Sequence, residues 1–298
     1  MPQGFLPLDP KLYNLSDEQL DFLRSLTGFE NDDEMRQHVL TIQAQAYEIC
    51  PCPCVRSFTF AKLPIIRIPY YDRALALGRK NKDAIFLDLG CCFGSDSRKA
   101  VFDGWPADKV IASDLHQELW ELGHELYRST PTTFPAGFIP GDVFDPQILS
   151  SNPTPTPRPP KPTNLTSLTS LNSLKAHISI IHTSLFFHLF NEDQQLDLAH
   201  RVATLLSPEK GSMIFGGHYG RQTKGTTVAE ALPDGTVRPK FRHSPESWKS
   251  VWEEVFGEAS VDGRVKIEVE WEVSKQYQNM DVENQEAYYW MVWCVTRL

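Results

Sequence analysis

The chain has 298 residues, 41% of them hydrophobic and 22% charged, with 29 basic against 38 acidic side chains for a net charge of −9. That suits a globular protein with a substantial core and argues against a phosphate-backbone binder, so no nucleic-acid partner is expected. No apolar run reaches the length of a membrane span, and MPQGFLPLDPKLYN has neither a basic nor an apolar signal region, so a cytoplasmic protein with no membrane partner is expected.

Residues 1–80 read as a mostly helical cap. SDEQLDFLRSL opens on a capping box, Ser16 with Gln19, and NDDEMRQHVLTIQAQAYEI repeats the device with Asn31 and Glu34. The CPCPC run that follows (Cys50, Cys52, Cys54) lacks a second CxxC or a histidine pair at zinc spacing. Its prolines hold it extended, so it reads as packing and no metal is expected. A last short helix, from PYYDRALALGRK, leads into the rest of the chain.

From residue 81 strands and helices alternate. AIFLDLG, KVIASDL, GFIPGDVFD, HISIIHT and GSMIFGGHYG read as five strands, with helices at SDSRKAVFDGW, QELWELGHELYRS and NEDQQLDLAHRVATLL, the last capped by Asn191 and Gln194. SPESWKSVWEEVFG is a helix with Ser244 as its cap and Pro245 in its first turn, and RVKIEVEWEV and AYYWMVWCVTRL close the chain as two successive strands. The alternation predicts a Rossmann-like, doubly wound α/β sheet, and the closing pair predicts an antiparallel last strand. Residues 150–175, with six prolines between 153 and 162 and then a Ser/Thr/Leu/Asn run, read as a mobile or extended insertion.

In such sheets ligands sit outside the carboxyl ends of the strands, where Asp88, Asp114 and Asp142 fall. LDLGCCFGSDS has Gly90 but places Cys92 and Ser95 where a pyrophosphate loop needs its second and third glycines. Asp88-Leu-Gly90-Cys-Cys92-Phe-Gly94 instead resembles the D/E-x-G-x-G-x-G loop of class I S-adenosylmethionine-dependent methyltransferases. Asp114 stands where that family keeps the acid that holds the ribose hydroxyls, and Gly141-Asp142-Val143 resembles its adenine-reading motif. The ordered set covers residues 83 to 298 and implies a seven-stranded sheet over a methyltransferase domain, residues 81–298.

The resemblance implies S-adenosylmethionine as cofactor, S-adenosylhomocysteine as product, and cofactor contacts from Tyr71, Asp88, Gly90, Cys91, Gly94, Asp114, Leu115, Asp142, Val143 and Thr183. His188, His218 and His182, near the fourth and fifth strand ends, are the catalytic candidates, a structural ring being the alternative for each. Arg56, Phe58, Phe60, Arg67, Tyr70, Phe187, Tyr219 and Arg221 are the acceptor-side candidates, a mixture of aromatics and cations that suits an apolar acceptor bearing an acid group. HTSLF replaces the Asn/Asp-Pro-Pro-Tyr/Phe signature of amino-group methyltransferases, which points to oxygen or carbon. The PCPC and PYYDRAL segments resemble fungal natural-product (meroterpenoid-type) methyltransferases, and so imply O-methylation of a small metabolite in secondary metabolism. C-methylation, a protein substrate and a regulatory methyltransferase-like partner are the alternatives. Oligomeric state is open, a homodimer being one option.

Overall fold

The computed structural model describes residues 6–153, 157–231, 237–257, 264–273 and 289–298. The N-terminal region holds helices α1 (Asp17–Thr27), α2 (Asp32–Ile49), α3 (Pro53–Arg56) and α4 (Tyr71–Lys80). The caps read from the sequence form. Ser16 and Gln19 exchange side-chain bonds with each other's backbone, and the Asn31 side chain accepts from Asp33 and Glu34 amides at the start of α2. These helices share one apolar core with the following domain. Phe22, Leu23, Val39, Ile42, Phe58 and Leu63 pack with Phe93, Leu119, Leu126 and Tyr127.

Beyond α4 run β1 (Phe86–Leu89), α5 (Ser95–Phe102), β2 (Val110–Asp114), α6 (Gln117–Leu126), β3 (Gly137–Pro140), β4 (Ile180–His182), α7 (Glu192–Leu205) and β5 (Met213–Gly220). They are followed by β6 (Gly225–Ala231), β7 (Val237–Arg242), α8 (Pro245–Phe256), β8 (Val265–Val273) and β9 (Tyr289–Arg297). The main sheet has seven strands in the order β3-β2-β1-β4-β5-β9-β8. β1 to β5 pair in parallel, and β9 lies antiparallel between β5 and β8, as the closing strand pair predicts. The strand order turns back between β1 and β4, which makes the carboxyl ends of these two strands the switch point where ligands sit in such folds.

Two elements differ from the sequence reading. β6 and β7 form an antiparallel ribbon of their own, which the sequence reading left unassigned. Its signal was present, an Asp-Gly pair between two β-compatible runs. The second half of the expected mobile insertion is packed: Leu165, Leu171 and Leu174 are buried in the core beneath β3 and α7, with Leu168 against them. Leucines at every third position make an apolar stripe that an averaged composition hides. Asn172 Oδ1 accepts the Ser150 amide at 2.8 Å, and Lys175 Nζ donates to Ser150 Oγ at 2.7 Å, so the segment's ends are tied together.

Candidate active site at the switch point

The turn after β1 is built from three left-handed residues: Gly90 at φ +74°, Cys92 at +51° and Gly94 at +64°. Both glycines are also required by space. A Cβ on Gly90 would sit 2.6 Å from the Phe186 ring, and one on Gly94 would sit 2.4 Å from Trp120. Cys92 adopts the same backbone region at the cost of a crowded Cβ. Its amide donates to Asp114 Oδ2 at 2.8 Å, while Asp114 Oδ1 accepts the His116 amide at 3.1 Å. Burial pushes the Asp114 carboxyl above its ordinary range, and these two amides pull against that shift.

Asp88 lies deeper than a ligand-facing acid. Its Oδ2 accepts from the Ser97 amide and hydroxyl at 3.1 and 2.7 Å, and its Oδ1 is 2.9 Å from His182 Nδ1. Asp88 therefore orients the start of α5, and through it the turn. Arg98, which the sequence reading passed over, is 2% exposed and donates to the Phe93 and Gly94 carbonyls at 2.8 and 3.2 Å. The guanidinium is held over the rings of Trp120, Tyr127 and Phe134 at 5.1, 5.0 and 4.4 Å. A basic residue four positions after the last loop glycine was the available signal. Cys91 is buried beneath the turn, its amide on the Ser113 carbonyl, and burial pushes its thiol up.

The residues present fit a nucleoside cofactor that carries no phosphate. Asp114 ends β2 with a carboxylate that suits a vicinal diol, and Leu115 beside it leaves an apolar side chain 60% exposed. Asp142 follows β3 in an Asx turn, its Oδ1 accepting the Phe144 amide at 2.9 Å, with Val143 buried next to it. Thr183, at the end of β4, has a buried hydroxyl without a hydrogen-bond partner. These residues share one edge of the sheet. Tyr71 does not join them: its hydroxyl donates to Asp103 at 2.7 Å, beyond the far end of α5, about 12 Å of helix from the turn.

The acceptor-side candidates separate into two groups. Arg67 and Tyr219 line a cleft of about 340 Å³ together with Asn14, Ser16, Gln19, Thr59, Lys62, Pro64, Leu185 and Trp290. The Arg67 guanidinium lies 5.2 Å over the Trp290 ring. The others lie elsewhere. Phe58 is fully buried, Phe60 stacks on Phe93 at 4.4 Å, and Phe187 is enclosed by Trp248, Trp252 and Trp293. Arg56 donates to the Pro7 carbonyl, Tyr70 to Glu270, and the Arg221 amide to the His243 carbonyl. An alternation of apolar and basic residues does not say which side of a segment faces a cavity. Lys62, Trp290 and Gln19, which the sequence reading missed, come from segments far apart in the chain, so no local motif marks them.

The three histidines have different surroundings. His182 is tied to Asp88 and does not face the cleft. His188 and His218 stack at 6.3 Å, and His188 lies 6.0 Å from Tyr219. Trp293 Nε1 donates to His218 Nδ1 at 3.2 Å. His188 Nδ1 and His218 Nε2 are buried with no partner, and burial holds both rings well below the usual histidine range, hence neutral. Cys50, Cys52 and Cys54 are half-buried free thiols packed on the N-terminal core, as is Cys92.

Residues 8–61 match the family model "Meroterpenoid methyltransferase N-terminal domain". The chain is 32% identical over 272 residues to the Asnovolin E/Chermesin D methyltransferase nvfJ of Aspergillus novofumigatus, an alignment covering 89% of this chain and 83% of that protein. It is 31% identical over 238 residues to the O-methyltransferase atr3 of Stereocaulon alpinum, where 80% of this chain spans 62% of the relative, less than two thirds of its length. Among solved structures, it aligns with a Burkholderia thailandensis 1,6-didemethyltoxoflavin-N1-methyltransferase at TM-score 0.48 and 11% identity, covering 90% of this chain and 91% of that one. The chain belongs to the fungal natural-product methyltransferases, within the class I S-adenosylmethionine-dependent superfamily, and its seven-stranded sheet is the fold of that class. No helix among the described residues is long and apolar enough to cross a membrane.

Proposed function

We propose that this protein O-methylates a small, largely apolar metabolite at a carboxyl group, with S-adenosylmethionine as methyl donor. The observation that carries the reading is the cleft. It sits against Leu185, next in sequence to Phe186, which covers Gly90, so its wall adjoins the glycine turn. Its volume suits a small ligand, its Pro64, Leu185 and Trp290 walls are apolar, and Arg67 and Lys62 supply cations for one acid group. Asp114, Leu115, Asp142, Val143, Gly90, Gly94 and Thr183 would hold the cofactor.

When bound, the cofactor supplies a methyl group made electrophilic by its sulfonium. Arg67 and Lys62 would hold the acceptor's carboxylate, one oxygen of which would take that methyl as the C–S bond breaks. The bonding pair would stay on sulfur, so an anion and a sulfonium would give a neutral ester and the thioether of S-adenosylhomocysteine. No base is needed, and orientation does most of the work. The nvfJ and atr3 names, one an Asnovolin E/Chermesin D methyltransferase and the other an O-methyltransferase, support methyl transfer to an oxygen of a small molecule.

A second reading rests on His188. A hydroxyl acceptor would need a base, and a neutral buried ring with an unpartnered Nδ1 beside Tyr219 is suited to take its proton. Incubation with methyl-labelled S-adenosylmethionine and matched terpenoid acids and alcohols separates the two. Label in base-labile methyl esters is the expected result, and label confined to ethers of the alcohols would overturn the carboxyl assignment.

A further inference from the structure

His182 was read from the sequence as a catalytic histidine, but its surroundings give it different work. The ring is 1% exposed and covered by Phe86 and Phe215, whose centroids lie at 6.3 and 5.2 Å. Its Nδ1 is 2.9 Å from Asp88 Oδ1, its Nε2 is 2.8 Å from Ser184 Oγ, and Asp96 Oδ2 lies 3.8 Å from the same Nε2. Each partner begins a different wall of the site. Asp88 holds the Ser97 amide and hydroxyl, and so the start of α5 and the turn that feeds it. Ser184 leads into Leu185, at φ +54°, and Phe186, whose ring closes on Gly90. Asp96 Oδ1 accepts the Ile65 amide at 3.4 Å, from the N-terminal segment that also supplies Pro64 and Arg67 to the cleft.

Two carboxylates buried this closely repel, and an imidazolium between them supplies the countercharge. Burial, against the pull of His182, pushes the Asp96 carboxyl up to about 7. For His182, burial acts downward and is the largest single effect, but the hydrogen bond to Asp88 and the charges of Asp88 and Asp96 together outweigh it, and the ring is held above the usual histidine range. The other titratable groups that face Asp96 are the hydroxyls of Tyr71 on α4 and Tyr127 after α6.

We infer that His182 is a positioning residue for the cofactor: by holding Asp88, Ser184 and Asp96 at once, it locks the glycine turn, the Phe186 wall and the N-terminal segment into one binding arrangement. The inference rests on the reading that the turn binds S-adenosylmethionine. A strut that never touches the methyl group acts on cofactor affinity and leaves the chemical step nearly alone. As pH rises and the network loses its proton, two carboxylates face an uncharged ring, and the arrangement loosens.

The test is calorimetric binding of S-adenosylhomocysteine from pH 6 to 8.5, with melting temperature followed in parallel, for the wild type, His182→Asn, Ser184→Ala and Asp96→Asn. Asn at 182 keeps a donor toward Asp88 but does not reach Ser184, so it weakens binding about tenfold, while kcat at saturating cofactor changes by less than about threefold. Ser184→Ala weakens binding about threefold with its melting temperature retained. The wild-type affinity falls toward pH 8.5, and Asp96→Asn flattens that profile. Wild-type affinity for the cofactor together with unchanged affinities in His182→Asn and Ser184→Ala overturns the inference, as does a pH profile that Asp96→Asn leaves intact. A wild type that binds no S-adenosylhomocysteine at any pH instead removes the cofactor reading beneath it. If His182→Asn melts far below the wild type, the other two variants, which keep the imidazole, decide.

Discussion

The two halves of the sheet's carboxyl edge are built in opposite ways. On the β1–β2–β3 side the acids already have backbone partners: Asp88 on Ser97, Asp114 on Cys92 and His116, Asp142 on Phe144. On the β4–β5 side, His188 Nδ1, His218 Nε2, Trp248 Nε1 and Trp290 Nε1 are buried without partners, and the walls are aromatic. The first half is a preformed frame, which the proposed function assigns to the cofactor. The second is an apolar enclosure with spare hydrogen-bonding capacity, which suits the apolar acceptor proposed above.

The contrast predicts that damage on the first side is the more severe. Asp114→Ala should have the largest effect. It removes a half-buried acceptor of two backbone amides as well as the proposed diol contact, and hydrogen bonds to charged groups contribute about 1.5–3 kcal/mol each. S-adenosylhomocysteine affinity should fall on the order of 100-fold by calorimetry. Affinity within about threefold of wild type would show that the acid belongs to the turn alone. On the other side, Arg67→Ala should raise the acceptor KM about tenfold while leaving the cofactor KM unchanged, since the guanidinium lies over Trp290 in the cleft. A loss in kcat alone would place Arg67 outside the acceptor's binding contacts.

The same contrast explains what could be read from the chain. The strand that carries Asp88, the paired glycines and Asp114 lie within thirty residues of one another, and each is required by local backbone geometry, so their order alone marks the loop. The helix caps at Ser16, Asn191 and Ser244 were legible for the same reason. The cleft is assembled from Gln19, Lys62, Arg67, Tyr219 and Trp290, residues up to 271 positions apart in the chain, and only tertiary packing selects them. Local signals also misled there. Phe58, Phe60 and Phe187 have the composition of a greasy pocket but are spent on the core, because an aromatic beside a basic residue looks alike in either place. Tyr71 failed differently, since helix α4 turns its hydroxyl toward Asp103.

Acidity separates the halves more gently. His188 and His218, lowered by burial, bind fewer protons folded than unfolded, so the stability they contribute is present above the usual histidine range and lost as pH falls below it. Asp96 and His182 are raised and act with the opposite sign. What Asp96 contributes is present below the ordinary carboxylate range and lost as pH climbs to about 7, and the His182 contribution is lost above neutrality. Melting temperature should therefore rise from pH 5 to near neutrality, against the opposing loss from Asp96, and fall gently beyond it as the His182 contribution goes, and Asp96→Asn should steepen the rise. A melting temperature still rising at pH 8.5 would contradict the upward shift of His182.

The smallest predicted effect concerns Cys92, the residue that departs from the glycine pattern. Its backbone is left-handed at φ +51°, a region that costs an L-residue about 1–2 kcal/mol and glycine almost nothing. Glycine would relieve that strain, but it would give up the thiol's packing against the N-terminal core and add freedom to the unfolded chain. The terms nearly cancel, so Cys92→Gly should melt within about 2 °C of the wild type, which for a chain of this size corresponds to about 1 kcal/mol or less. Cofactor affinity should hold, because the contact that Cys92 makes with Asp114 comes from its backbone amide, which glycine keeps. A cofactor affinity that drops tenfold or more with the melting temperature intact would mean that the thiol itself touches the ligand, and the turn would then be a frame with one side chain as part of its floor.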